Sequence, residues 1–181
     1  MLKLDIPEKS IFIEETSEFV DTKKVSLTLE HSLISVSRWE SKWHKPFLSN
    51  DKPKTNEEIL DYISCMNMSG PVDMLVLKHL SADEINKVNE YINDPMTATW
   101  FNKPNDKRPS REIVTSELIY YWMIKLGIPM ECQKWHLNRL MTLIGVFSVK
   151  DTPPKKMSHA EMAKQRSAMN AARRAKYHTK G

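Results

Sequence analysis

The chain has 181 residues, of which 40% are hydrophobic and 28% charged, and its formal net charge is +4. That is room and apolar material for one ordinary core, too little chain for two full domains and too much apolar content for a disordered one. The distribution of charge is more telling than its sum: from Lys150 to Gly181 nine Lys and Arg face only Asp151 and Glu161, giving +7 and leaving −3 on residues 1–149.

Several classes drop out on the same grounds. The longest apolar stretch, Ile119 to Ile128, is interrupted by Lys125 and falls short of the roughly 20 residues of a membrane span. The start, Met1-Leu-Lys-Leu-Asp-Ile-Pro7, lacks the apolar run of a secretory signal. Cys65 and Cys132 alone imply no disulfide framework and point to a reducing cytoplasm. Four glycines argue against a Gly-rich phosphate loop, and Ser69-Gly70-Pro71 is not followed by Lys-Ser/Thr.

In chain order, the first thirty residues read as β. Ile11-Phe12-Ile13 is a short apolar run, and Val25-Ser-Leu-Thr-Leu29 alternates with the period of two of a half-buried strand. The charged stretch from Glu14 to Lys24 between them suits a hairpin loop or a longer connection, and Leu2 and Leu4 add a further edge strand. After His31 the period changes. Val36, Trp39 and Trp43 fall on one helix face, and Pro46 ends the helix by biasing Lys45 away from it.

Thr55-Asn-Glu-Glu58 has capping-box spacing and opens a helix with Ile59, Leu60, Tyr62, Ile63 and Met66 inward, ending near Ser69-Gly70-Pro71. Met74 to Leu80 is a short helix. Ser81-Ala-Asp-Glu84 repeats the capping box before Ile85, Val88, Tyr91 and Ile92. From Asp94 to Pro109 the chain is polar and proline-bearing, an ordered loop anchored by Trp100-Phe101 or a short extended piece.

Ser110 or Thr115 starts the most apolar helix, which its composition places at the centre, and Gly127 is suited to end it in the left-handed conformation. A last body helix is expected from about Glu131 to Val149. Asp151-Thr-Pro-Pro154 breaks the chain, and Ser158-His-Ala-Glu161 is a third capping box, opening a basic helix to about Ala175. The expected class is therefore mainly α with a small N-terminal hairpin or sheet (α+β): strands in 1–30, a helical body in 31–149, a linker in 150–157 and a basic helix or tail in 158–181.

Candidate chemistry is sparse. Cys132 and His136 stand at i, i+4, a spacing that can hold zinc on a helix face, but two ligands make no site unless Cys65 and His79 or His31 converge on them. Cys65 and Cys132 lie in amphipathic segments, where a thiol stays protonated and inert. The pairs Glu57-Glu58 and Asp83-Glu84 fall in first helical turns, where the macrodipole accounts for them. No catalytic residue, metal ligand or cofactor-binding residue is expected.

Trp43, Phe47, Trp100 and Phe101 flank polar turns and are either core residues or anchors for a partner. The basic tail, with Lys155, Lys156, Arg166, Arg173 and Arg174, admits three readings: phosphate binding, docking on an acidic protein, or a solvated end. With Tyr177 the only aromatic there, stacking on single-stranded nucleic acid is weakly supported.

The order of motifs carries a resemblance. Ser32-Leu-Ile-Ser-Val-Ser-Arg-Trp-Glu-Ser-Lys-Trp-His-Lys-Pro-Phe-Leu48, Asp61-Tyr-Ile-Ser-Cys-Met66 and Met96-Thr-Ala-Thr-Trp-Phe101 come first. Arg111-Glu-Ile-Val-Thr-Ser-Glu-Leu-Ile-Tyr-Tyr-Trp-Met123, Trp135-His-Leu-Asn-Arg-Leu140 and Lys155-Lys-Met-Ser158 follow. Over about residues 25–175 this set resembles the tail assembly chaperones of long-tailed bacteriophages. The resemblance implies a small, mainly helical, non-enzymatic protein of the host cytoplasm that coats the tape-measure protein and recruits major tail subunits. It also allows a longer frameshifted product; self-association is left open by the sequence itself. The alternatives are a structural virion component, such as a tail-completion or head–tail connector protein, and a nucleic-acid-binding protein using the basic tail.

Overall fold

The computed structural model describes residues 1–13, 17–49, 53–100, 112–151 and 159–177. Chain contacts divide it into two units, Met1–Phe147 and Ser148–Gly181. The class is the expected one: mainly helical, with a small β portion at the N-terminus.

Strand β1 (Leu2–Ile6) pairs antiparallel with β4 (Val25–Leu29), and β2 (Lys9–Ile13) with β3 (Glu18–Thr22). Leu2 lies opposite Leu29 and Ile13 opposite Glu18, so partner numbers add to 31 in both ladders, which share one register. The ladder breaks at Pro7, which has no N–H to donate. The inward face also changes parity there. Leu4, Ile6, Leu27 and Leu29 are buried before the break, and Ile11 after it, so Phe12 and Phe19 turn outward as an exposed cross-strand pair with ring centroids 5.0 Å apart. Strand β3 lies inside the stretch expected to be a loop. It pairs because β1 and β4 set the register that the rest of the ribbon continues.

Helix α1 (Leu33–Trp43) is opened by Ser32, whose hydroxyl accepts from the Ser35 N–H, and ends with His44 in the left-handed region, two residues before Pro46. The capping boxes expected at Thr55 and Ser81 open α2 (Asn56–Met66) and α4 (Ala82–Asn93), with α3 (Met74–Lys78) between them. Leu33, Val36 and Trp39 from α1, Tyr62, Ile63 and Met66 from α2, and Val88 and Tyr91 from α4 meet the ribbon's inner leucines in one core. Trp39 is buried whole, its indole N–H donating to the Glu58 carbonyl at 2.8 Å.

Helix α5 (Ser116–Lys125) starts at Thr115, the later of the two expected positions, and its N-terminus is completed from outside. Buried Glu40 of α1 accepts the Ser116 N–H at 2.7 Å with one carboxylate oxygen and the Phe47 N–H at 2.7 Å with the other. Its C-terminus is a Schellman turn. Ile128 N–H donates to the Met123 carbonyl at 2.9 Å and Gly127 N–H to the Ile124 carbonyl at 3.2 Å, with Gly127 at φ 65°. Contrary to what its composition suggests, the helix is not central. Ile119 and Met123 are buried, but Tyr121 and Ile124 face outward, 54% and 71% exposed.

The last body helix begins later than expected. Met130–Lys134 is a 3₁₀ turn, Trp135 is extended, and α6 runs Leu137–Asp151. Tertiary hydrogen bonds account for the delay: Leu137 N–H donates to the His31 carbonyl at 2.7 Å, and Ser32 and His136 form an antiparallel bridge. Cys132 and His136 therefore do not share a helix face. In the second unit, α7 (His159–Tyr177) reaches two residues past the expected end, while the capping hydroxyl expected at Ser158 lies outside the described residues.

A left-handed backbone costs an L side chain about 1–2 kcal/mol. No atom lies within 4 Å of where a Gly127 Cβ would sit, so strain alone decides the outcome. Gly127→Ala is expected to lower unfolding free energy by about 1 kcal/mol in urea titration, and Gly127→Asn by less.

Candidate functional site

The aromatic residues singled out by sequence divide into two groups. Trp43 and Phe47 are half-buried and belong to one cluster. Trp43 stacks on Trp39 (6.2 Å) and donates its indole N–H to Asp61 at 2.8 Å; Phe47 lies 4.0 Å from the Tyr62 ring and 5.2 Å from that of Trp39. Lys42 pairs with Asp61 and Lys45 with Glu58, fastening this cluster from outside. Trp100, expected to anchor its loop, is 88% exposed. Phe101, Lys155 and Lys156 lie outside the described residues. Arg166, Arg173 and Arg174 are exposed on α7, whose described side chains are exposed along almost its whole length.

Behind the Phe47 cluster is a polar seam that sequence inspection misses, because its members are far apart in the chain. His31, 3% exposed, is paired through Nδ1 with the Tyr62 hydroxyl, and its ring meets that of His136 edge-on at 5.1 Å. His136 donates from Nε2 to the Tyr91 carbonyl at 3.0 Å and accepts the Asn138 N–H at Nδ1, 3.3 Å away, thereby capping α6. Tyr91 donates its hydroxyl to Glu30 at 2.8 Å, and the Met1 ammonium pairs with the same carboxylate at 3.0 Å. Burial, with His136 alongside, lowers the His31 pKa to about 4.

His31 and Tyr62 also line a half-open groove of about 510 Å³. Its walls include Ile59 of α2 and Ile85, Asn89 and Ile92 of α4, with Phe47, Leu48 and Lys54, which fall between α1 and α2 in the chain. Ile59, Ile85 and Ile92 were expected inward; they are partly exposed because they face this groove. The Lys54 ammonium stands 4.5 Å from the Phe47 ring centroid and makes no ion pair with a described carboxylate.

Burial and the neighbouring Asp61 push the Cys65 thiol up to about 11, so it is protonated at neutral pH, while Cys132 is a buried free thiol. No group of three His, Cys, Asp or Glu able to hold a metal occurs among the described residues, and none of their helices is long and apolar enough to cross a membrane. No family model, curated protein or solved structure matches the chain.

The buried imidazole makes folding pH-dependent. In the unfolded chain His31 takes up a proton near its ordinary 6.5, and in the folded chain only near 4. Its contribution is therefore complete above pH 6.5 and is lost progressively as pH falls from 6.5 towards 4. Urea titrations across this window should show that slope in the native chain and a flatter one in His31→Gln.

Proposed function

We propose that this chain is a non-catalytic assembly chaperone of a long-tailed bacteriophage, which holds the tape-measure protein and delivers major tail subunits to it in the host cytoplasm. The motif resemblance supplies the identity of the partners. The observation that carries the mechanism is the placement of large apolar side chains on the outside of a well-capped body: Phe19 at 72%, Trp100 at 88% and Ile124 at 71% exposure. Such groups raise the free energy of the free molecule by about 25 cal/mol for each Å² of apolar surface left wet, and a partner that covers them recovers it.

The basic helix adds a second means of contact. Helix α7 carries Lys164, Arg166, Arg173, Arg174 and Lys176 with one acidic residue, Glu161. A cationic helix of this kind speeds encounter with an acidic protein and loses that advantage as salt screens it. Apolar anchoring and electrostatic steering together suit a factor that binds unassembled subunits and later releases them, with no bond made or broken.

Affinity-tagged chain co-expressed with the tape-measure and major tail proteins of the same genome is expected to co-purify with them, and mass spectrometry of mature particles to find the chain missing. A chain that captures neither protein yet is present in every particle would replace this reading with that of a structural virion component. Truncation after Lys150 is expected to weaken capture at low salt more than at high salt, measured by pull-down across a salt series. A tail that bound nucleic acid instead would show DNA affinity falling steeply with salt and vanishing on the same truncation.

A further inference from the structure

The outer edge of β1 is open and complementary to itself, and we infer that the chain pairs with a second copy of itself through that edge. Strand β1 of one copy runs antiparallel to β1 of the other about a twofold axis at Leu4, joining the two ribbons in one sheet of order β4-β1-β1-β4. This goes beyond the chaperone reading and does not depend on it.

Which way the backbone groups of β1 point follows from β4. The Thr28 carbonyl accepts the Met68 N–H at 2.8 Å, the Thr28 N–H donates to the Ser69 hydroxyl at 3.0 Å, and the Glu30 N–H donates to the Met66 carbonyl at 2.9 Å. Thr28 therefore faces away from β1, and the far edge of β4 is covered. Residues opposite each other in an antiparallel ladder either both face the partner strand or both face away. Lys3 lies opposite Thr28 and Asp5 opposite Ser26, so the N–H and C=O groups of Lys3 and Asp5 point out of the far edge of β1. Among the described residues no strand lies on that side and nothing hydrogen-bonds to those groups. Both residues are exposed.

Charge selects both the occupant of this edge and its register. Pairing centred on Leu4 sets Lys3 of each copy opposite Asp5 of the other. These are the residues whose backbone groups point outward, so each such pair exchanges two hydrogen bonds and sets an ammonium beside a carboxylate. Asp5 accepts the Ser26 hydroxyl with one oxygen and keeps the other for the contact. Sliding the second copy by two residues either way would place Lys3 against Lys3 or Asp5 against Asp5, and sliding it by one would turn its leucines to the wrong face. In the charge-paired register Leu2 meets Ile6 and Leu4 meets Leu4, continuing the apolar side of the ribbon, where Leu4 and Ile6 are buried and Leu2 partly so. Pro7 ends the pairing, since its missing N–H falls on the same edge. An edge lysine alone discourages strand addition; with aspartate two residues on, it admits one partner, an inverted copy of the same strand.

Sedimentation velocity on the full chain is expected to show a monomer–dimer equilibrium, closed because the contact is isologous, with a dissociation constant of about 10–100 µM, as befits a small interface. Lys3→Glu and Asp5→Lys should each weaken association about tenfold or more and leave the thermal melt close to that of the native chain, both positions being exposed. An equimolar mixture of the two variants should pair at least as tightly as the native chain, because every opposed pair then carries opposite charges. Hydrogen exchange read residue by residue should find the Lys3 and Asp5 amides protected at high concentration and unprotected at low, whereas Leu4 and Leu27, which face each other in the ladder, are protected at both. A native chain that stays monomeric throughout that range, a dimer whose Lys3 and Asp5 amides exchange as in the monomer, or charge variants whose mixture associates no better than either alone, would overturn the inference. Since none of these measurements involves a tail protein, their failure leaves the chaperone reading standing, and failed capture of tail proteins leaves this one.

Discussion

The body depends on what happens at three consecutive residues, Glu30, His31 and Ser32, where the ribbon turns into α1. Two commit a polar group to an element distant in sequence, Glu30 to Tyr91 of α4 and the His31 carbonyl to the Leu137 N–H of α6, while Ser32 caps α1 and faces His136 across the bridge. These groups are nearly dry, so leaving any one without its partner would cost about 1–3 kcal/mol, more for the carboxylate. Ribbon, α1, α4 and α6 are thus positioned by one short crossing whose hydrogen bonds have few alternatives, and the apolar core of Leu29, Leu33, Met66 and Leu137 fills in around it.

Glu40 has the same role one helix further on. A buried carboxylate accepting two backbone N–H groups, one from the turn after α1 and one from the first residue of α5, fixes the angle between those helices. In doing so it helps determine which α5 residues are covered. Ser116, Ile119 and Met123 go inward, and the stripe of Glu117, Tyr121 and Ile124 is left outside. The exposed face therefore follows from how the helix is capped as much as from its composition.

Features governed by neighbouring residues were legible in the sequence. The capping boxes at Thr55 and Ser81, the left-handed glycine at 127, the alternation of β4 and the short helix α3 all stand where spacing and turn chemistry put them. Features governed by distant partners were not. Strand β3 hides in a charged stretch because its pairing is inherited from β1 and β4, and α6 starts late because His31 and Ser32 engage its first residues. Of the aromatic candidates, Trp43 and Phe47 proved to be half-core residues, Phe47 also lining a groove, a position that only the folded arrangement of α2 and α4 reveals.

Glu40 and Ser116 are 76 residues apart, and His31 is farther still from Leu137. On the ribosome the amino-terminal ribbon and first four helices are complete well before either of these late donors leaves the exit tunnel. Until then one oxygen of the Glu40 carboxylate and the His31 carbonyl have only water to satisfy them. A chain cut short before Ser116 therefore lacks the donors that complete these two bonds, and the order of synthesis makes them the last to close.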